Sequence, residues 1–528
     1  MKFPRLLFAI ALSFCPLAVQ ARPIDLATAS IVQLDAAMAT GQLSSVQLVR
    51  FYLRRIARLN HRGPALHAII AINPDALAEA RASDRERRLK GSRGPLEGIP
   101  ILIKDNIETA DPMATTAGSQ ALAANITHRD SPLVARLRAA GAIILGKTNL
   151  SEWADLRSGE ATSGWSAVGG LARNPFALDR SACGSSSGSA VAVAAGMAAA
   201  AVGTETDGSI TCPSSLNGLT GLKPSVGEIP RTSVVPISHS QDTPGPIAHT
   251  AADAALLMAV MSGPDPHDPA SLATGAVPAA AFASVTPVNL RGLRLGVLRV
   301  ANDALPLIDP VYNAALARLT AAGAVLVEVK FNNPPKIETD ELLVMETEMK
   351  VDLTAYLRNA APGLAVQSLA DLIAFNQRTP GEMRLFGQDL FVASQATKGL
   401  SDPAYLAARA ESLRLTGAEG IDKLLREDHL AALVAPTAGP AWKMDLLYGD
   451  TIPAAADTSQ AAFTTFPAIA GYPHLTVPMG AVHGLPVGLS FIGPKWSDPR
   501  MLALGEAWQA LSPPIPPPTF PATVDPSP

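Results

Sequence analysis

Two serines enclosed by glycines, and a lysine that precedes them, are the residues of this chain best suited to chemistry. Ser185 lies in the run 183–189 (CGSSSGS), and Ser209 follows 24 positions later in the run 203–210 (GTETDGSI). Lys104 ends the apolar run 100–103 (PILI). A serine attacks a carbonyl carbon when a base removes its proton, and a neutral lysine can be that base. The pattern indicates acyl-transfer chemistry that does not use histidine.

Each of these residues also has a plainer interpretation when it is taken alone. Serine–glycine runs are typical of loops, and Ser209 could cap the N-terminus of a helix. Lys104 could form an ion pair with Asp105, although its apolar neighbours favour burial and therefore the neutral amine. The run that contains Ser185 leads directly into an apolar stretch, so it is anchored in the core and is not a linker.

The glycine before Ser209 indicates a tight turn in which successive backbone N–H groups can converge. The N–H groups of Thr206, Asp207, Gly208 and Ser209 would then surround one point. Such a group of donors stabilises the negative oxygen that forms when a serine attacks a carbonyl. We therefore predict an oxyanion site formed by these residues.

Taken together, the motifs resemble those of the amidase signature family, and the resemblance extends over nearly the whole chain after its first segment. Within the family they are most similar to the bacterial peptide amidases, which remove the C-terminal amide of peptides. The matching segments are 98–106 (GIPILIKDN), 184–189 (GSSSGS), 203–213 (GTETDGSITCP), 221–224 (GLKP), 242–246 (DTPGP), 368–377, 386–390 and 471–488.

The resemblance implies a role for each site residue. Ser209 would be the nucleophile, Ser185 would relay its proton from a position after a cis peptide bond at Gly184, and Lys104 would be the base. Thr206, Asp207 and Gly208, with Ser209, would supply the oxyanion N–H groups. The implied substrate is a small-molecule or peptide amide, and no cofactor is implied.

Three other functions stay open at this point. The same fold could act on aryl, fatty acyl or other small amides, or it could serve as an amidotransferase-type subunit that supplies ammonia to a partner. A binding protein on a non-catalytic version of the fold is the third. The presence of all three of Lys104, Ser185 and Ser209 argues against that last alternative.

The chain departs from the common family pattern at several positions. Ser187 and Asp207 stand where glycine is common, Glu205 stands where aspartate is common, and His249 stands where arginine is usual. Asp207 matters most, because a carboxylate beside an oxyanion site is electrostatically unfavourable unless its side chain points away.

A second motif is a false match. Residues 141–148 (GAIILGKT) fit the phosphate-loop pattern, but the four variable positions are hydrophobic. A phosphate loop needs exposed backbone N–H groups at these positions, whereas this run is typical of a buried strand. We predict a core strand that ends near Lys147, and no nucleotide site.

The composition is that of a globular protein. The chain has 528 residues, of which 48% are hydrophobic and 17% charged, and its net charge is −4. No basic stripe with interleaved aromatic residues is present, which argues against nucleic acid as a partner. Cys183 and Cys212 are the two cysteines after the first segment; we expect free buried thiols, with one disulfide as the alternative. No cysteine or histidine spacing indicates a metal site.

The first 21 residues have the features of a secretory signal. Lys2 and Arg5 form a basic start, residues 6–14 are apolar, and residues 19–21 (VQA) suit cleavage before Arg22. We expect an exported protein, periplasmic or secreted, with no membrane anchor after cleavage.

Alternating helices and short apolar strands predict an α/β fold. We expect a single large domain with a central mixed sheet covered by helices on both faces, which is the amidase-signature fold that the resemblance implies. The predicted boundaries are 22–512 for this domain, 95–250 for its signature core, 264–430 for a helical insert on the substrate side, and 513–528 for an extended tail. Predicted helices include 44–59, 74–89 and the apolar run 189–200; the last sixteen residues contain eight prolines.

Overall fold

The computed structural model describes residues 24–273, 275–299, 307–331, 334, 336–444, 446, 449–450 and 463–524, so the predicted signal lies outside the described residues. The strands are β1 (Ile69–Ile72), β2 (Pro100–Lys104), β3 (Ile143–Thr148), β4 (Trp165–Ser166), β5 (Gly170–Leu171), β6 (Ala200–Glu205), β7 (Thr220–Lys223), β8 (Thr243–Ala248), β9 (Arg294–Val297), β10 (Val325–Glu328), β11 (Ala432–Pro436), β12 (His474–Val482) and β13 (Leu485–Ile492).

Eleven of these strands form one mixed sheet in the order β1-β3-β2-β6-β8-β7-β12-β13-β11-β9-β10. The strands β3, β2 and β6 are parallel to one another, and β6 then pairs with β8 in antiparallel fashion. The short strands β4 and β5 form a separate pair. The predicted α/β class and the mixed central sheet are confirmed.

Helices flank this sheet. They are α1 (Ile31–Ala39), α2 (Ser45–Leu59), α3 (Ala76–Lys90), α4 (Pro132–Ala139), α5 (Ser187–Ala194), α6 (Thr211–Leu216), α7 (Ala251–Met261), α8 (Ala279–Ala283), α9 (Asp309–Ala321), α10 (Lys336–Arg358), α11 (Leu369–Arg378), α12 (Asp389–Ala396), α13 (Pro403–Leu413), α14 (Asp422–Glu427), α15 (Thr465–Ala470) and α16 (Asp498–Gln509).

The predicted helices form, with different ends. Helix α2 begins where the side chain of Ser44 accepts a hydrogen bond from the N–H of Gln47, which is a capping box. Helix α5 is buried on all sides, as its apolar sequence predicts, but it ends at Ala194 instead of reaching Ala200. Gly196 adopts a φ of 64°, which turns the chain out of the helix and towards β6.

The region 264–430 is not purely helical. Strands β9 and β10 lie at the edge of the central sheet, beside β11, and α9 connects them. The later helices of this region, α10 and α12, approach the cleft described below.

The described part of the tail, 513–524, is extended and packs on the domain. The N–H of Phe520 donates to the carbonyl of Pro175 at 3.2 Å, and the N–H of Leu178 donates to the carbonyl of Pro521 at 2.9 Å. The side chain of Phe520 packs against the main core. These contacts hold the tail against the segment 175–178.

Candidate active site

Lys104 ends β2, which lies between β3 and β6 in the sheet. The side chain is fully buried, and its Nζ lies 2.7 Å from Ser185 Oγ. The same Nζ lies 2.8 Å from Thr204 Oγ1 and 3.1 Å from the carbonyl oxygen of Thr204. A neutral amine that donates its two hydrogens to Thr204 keeps its lone pair for the hydroxyl of Ser185.

Burial lowers the pKa of Lys104 to about 7, and the nearby carboxylates of Asp155, Asp242 and Glu205 only partly oppose this shift. The amine is therefore substantially neutral at neutral pH. An ion pair between Lys104 and Asp105 is not formed. Instead, Asp105 Oδ1 lies 3.9 Å from the Nζ of Lys147, which is the second-last residue of β3.

Ser185 follows a cis peptide bond at Gly184, as the resemblance implies. Its carbonyl oxygen accepts a hydrogen bond from the N–H of Ser151 at 3.1 Å. A Cβ at position 184 would lie 2.2 Å from Ser151 Oγ and 2.9 Å from Asp155 Oδ2, so a larger residue there would displace these side chains. The next residue, Ser186, donates its N–H to the carbonyl of Ser209 at 3.1 Å, which joins the two serine-containing segments.

Ser209 lies in the loop between β6 and α6. Glu205 shapes this loop, because its Oε2 accepts hydrogen bonds from the N–H groups of Ile210 at 2.7 Å and Thr211 at 2.9 Å. Gly208 has a φ of 74°, a left-handed conformation that favours glycine.

Thr206 is fixed by its hydroxyl, which donates to Asp242 Oδ1 at 2.7 Å. Among the described residues, the N–H groups of Asp207, Gly208 and Ser209 donate to no protein acceptor. Three consecutive free donors beside a serine suit the binding of an oxyanion.

The carboxylate of Asp207 is held by Thr465, whose hydroxyl donates to its Oδ2 at 2.7 Å. Burial raises the pKa of Asp207, with the nearby threonine hydroxyls opposing that shift. The hydrogen bond from Thr465 therefore fixes the position of this carboxylate beside the free N–H groups.

Ser209 lines a cleft of about 720 Å³. Its walls come mainly from the segments 154–163 and 206–212, with Met345 of α10 and Leu390 of α12 from the predicted substrate-side region. Asp155, Trp442 and Asp450 also line it, and no sequence motif indicated them. Residues 153–155 all have positive φ values, which place Asp155 at the cleft. No pattern in the sequence predicts these φ values.

The expectation of free thiols is wrong. Cys183 and Cys212 form a disulfide with a Cα–Cα distance of 6.0 Å. The reason is tertiary: the hydrogen bond between Ser186 and Ser209 brings the residues on either side of these serines within bonding reach. Both cysteines line the cleft.

Among the described residues, one group of side chains has the composition of a metal site. His239, Glu348 and Asp352 place their ligand atoms within 4.8 Å of one another. Both oxygens of Glu348 already accept hydrogen bonds, including one from the hydroxyl of Tyr405 at 2.8 Å. His239 Nδ1 lies 2.8 Å from Asp352 Oδ2. These hydrogen bonds connect residues 238–240 to α10, which explains why the three side chains lie together.

Comparison with known proteins assigns the family. The family model described as Amidase matches residues 47–502. This chain belongs to the amidase family.

Within the described residues, no helix is both long and apolar enough to span a bilayer.

Several relatives of this amidase match it over nearly its full length. A probable amidase of Arabidopsis thaliana is 38% identical over 93% of this chain and 91% of its own. A glutamyl-tRNA(Gln) amidotransferase subunit of Symbiobacterium thermophilum is 34% identical over 92% and 96%. The crystal structure of the native peptide amidase of Stenotrophomonas maltophilia is 47% identical, covers 93% of this chain and 98% of its own, and superposes with a TM-score of 0.86.

Proposed function

We propose that this amidase hydrolyses the C-terminal amide of peptides through an acyl-enzyme on Ser209. The observation that carries the proposal is the fully buried amine of Lys104, 2.7 Å from Ser185 Oγ. Ser185 is joined through the backbone of Ser186 to Ser209. Similarity to a peptide amidase at 47% identity supports the substrate class.

In the proposed acylation step, Ser209 Oγ bonds to the carbonyl carbon of the amide. Its proton passes to Ser185 Oγ, while the proton of Ser185 passes to the neutral Nζ of Lys104. The carbonyl oxygen becomes negative and is stabilised by the free N–H groups of Asp207, Gly208 and Ser209.

The tetrahedral intermediate then collapses. The C–N bond breaks, and the leaving nitrogen takes a proton by the same route in reverse, so that ammonia departs and Lys104 is neutral again. A water molecule attacks the ester on Ser209 with the same relay as base, which releases the acid and regenerates the serine.

The test is the release of ammonia from a blocked dipeptide amide, with the free-acid peptide as the reference. We expect ammonia with no cleavage of the internal peptide bond. The variants Ser209→Ala and Lys104→Met should each lower kcat/KM by about 10³-fold or more, because the nucleophile or its base is lost.

The matched control is Ser262→Ala. Ser262 is a buried serine whose hydroxyl has no hydrogen-bond partner among the described residues, and it does not line the cleft. Its variant should keep the full rate. Full activity of Ser209→Ala, or cleavage of internal peptide bonds, would contradict the proposal.

An amidotransferase-type role is a second candidate, because the amidotransferase relatives share about a third of their residues with this chain. Action on other small, aryl or fatty acyl amides is a third. A panel of peptide amides, glutamine and anilides, assayed with the isolated chain, distinguishes them by the substrate with the highest kcat/KM.

We also propose that the protein is exported to the periplasm or secreted. The disulfide of Cys183 and Cys212 supports this proposal, because disulfides persist in oxidising compartments. The test is N-terminal sequencing of the protein from the periplasm or medium, where we expect Arg22 as the first residue. A cell-retained chain that keeps residues 1–21 would contradict export.

A further inference from the structure

Among the described residues that line the cleft, every charged one is acidic. Asp155, Asp207 and Asp450 contribute to its wall, and none of the described residues that line it is lysine, arginine or histidine. The cleft around Ser209 therefore has an excess of negative groups, with Lys104 behind Ser185 as the amine in contact with the site.

Asp155 is placed directly beside the reacting serines. Its Oδ2 would lie 2.9 Å from a Cβ built on Gly184, the residue bonded to Ser185. Its Oδ1 is buried and has no hydrogen-bond partner among the described residues. No cationic side chain in the described part of the chain forms an ion pair with Asp155 within 4.0 Å. The amine of Lys104 acts on the charge of Asp155, but burial leaves this amine substantially neutral, so a bound cation would still offset the cost of burying the carboxylate.

Asp450 adds a second negative group to the same wall. Its Oδ2 accepts a hydrogen bond from the N–H of Ser163 at 2.8 Å, and its Oδ1 accepts one from Trp442 Nε1 at 3.0 Å. A Cβ on Gly184 would lie 3.2 Å from Ser163 Cβ and 2.9 Å from Asp155 Oδ2. Ser163, which binds Asp450, and Asp155 therefore both lie next to Gly184. Burial and the charge of Asp450 raise the pKa of Asp155 to about 7. The two carboxylates thus repel each other, and a cation between them would relieve the repulsion.

We propose that Asp155, with Asp450 behind it, selects amide substrates that carry a positive charge close to the scissile bond, such as the amides of arginine and lysine residues. This inference rests on the proposed function and narrows its substrate class. The same two groups disfavour substrates with a carboxylate at that position, because like charges would meet in a partly buried cleft.

The experiment compares three N-acetyl amino-acid amides that differ in side-chain charge. Argininamide is positive, citrullinamide is its neutral near-isostere, and glutamic acid α-amide is negative. We expect kcat/KM for the arginine substrate to exceed that for citrulline by about tenfold or more, which is the effect of one charge-assisted hydrogen bond. The glutamate substrate should be the slowest.

The variant Asp155→Asn removes the charge and keeps the shape, and asparagine tolerates the φ of 72° at this position. It should bring the arginine-to-citrulline ratio close to one. The control is Asp75→Asn at the start of α3, where an exposed aspartate does not line the cleft, and its ratio should equal that of the unmodified protein. A ratio near one in the unmodified protein, or a ratio that Asp155→Asn leaves unchanged, would overturn the proposal.

Failure of the proposed function gives a different result. If none of the three amides releases ammonia, the amidase proposal fails, and charge selection is then decided by binding to Ser209→Ala. Tighter binding of argininamide than of citrullinamide, lost in the double variant with Asp155→Asn, supports the selection. Equal binding of the two contradicts it.

Discussion

At the scale of single residues, three lysines occupy similar positions but have different surroundings. Lys104, Lys147 and Lys223 are fully buried at or near the ends of strands, and burial lowers the pKa of each. Lys147 contacts the hydroxyl of Thr115 at 2.8 Å, and Lys223 contacts the carbonyl of Pro224 at 3.0 Å. Only Lys104 of these three contacts Ser185. Burial favours the neutral form of all three amines, and only a neutral amine can act as a base. Contact with Ser185 is what distinguishes Lys104 from the other two.

The pKa of Lys104 predicts the pH dependence of acylation. The amine is a base only when neutral, so kcat/KM should be constant above pH 8 and fall as the pH drops through about 7. At pH 5 we expect a rate about 100-fold below the plateau, because one proton inactivates the base. The measurement is kcat/KM for a neutral peptide amide from pH 5 to 9. A flat profile across this range would exclude a neutral lysine as the base.

At the scale of elements, the disulfide joins the segment before α5 to the start of α6. Cys183 directly precedes Gly184, and Cys212 lies in the first turn of α6, three positions after Ser209. The backbone bond between Ser186 and Ser209 spans the same two segments. Two cross-links therefore hold the relay serine and the nucleophile in one arrangement.

Removal of the disulfide should destabilise this arrangement. We expect the Cys183→Ser, Cys212→Ser double variant to lose about 3 kcal/mol of unfolding free energy, since the bridge closes a loop with a sequence separation of 29. Chemical denaturation of the oxidised protein, the reduced protein and the double variant measures this. The reduced protein and the double variant should have the same lowered midpoint, and an unchanged midpoint in both would show that the bridge does not form in solution.

At the scale of the whole molecule, the C-terminal tail contributes to the packing of the domain, away from the cleft. Ile515 packs near Gly218, and the hydroxyl of Thr523 donates to Asp179 Oδ2 at 2.8 Å. None of the described tail residues lines the cleft that contains Ser209. The tail should therefore affect stability and leave catalysis unchanged.

Truncation after Ser512 tests this separation. We expect the Tm to fall by about 3 °C, because apolar surface under Phe520 and Ile515 becomes exposed. The value of kcat/KM should equal that of the full chain at 25 °C. The control is the variant Phe520→Ala in the full chain, which should give part of the loss in Tm. A truncated protein with lower kcat/KM and an unchanged Tm would contradict this assignment.

Much of the fold and the central part of the site can be predicted from local sequence. Periodic apolar runs locate helices α2 and α3 and the strands β2 and β3, because one element's pattern depends only on its own residues. The end of α5 is not predicted correctly, because the glycine that ends it, Gly196, lies inside an apolar run that continues on both sides of it. Strand β1 lies between the predicted helices 44–59 and 74–89 and is not predicted, because its four residues are too few to show a period.

The sequence by itself determined which side chains were chemically suited to the site: Lys104, Ser185 and Ser209, each set in a distinctive local run. Only the tertiary structure decided which distant residues meet there. It joined Cys183 to Cys212, and it placed Asp155 and Asp450, from separate loops, in the wall of one cleft. The physical reason is that such contacts depend on how strands cross and loops return, which no short stretch of sequence encodes.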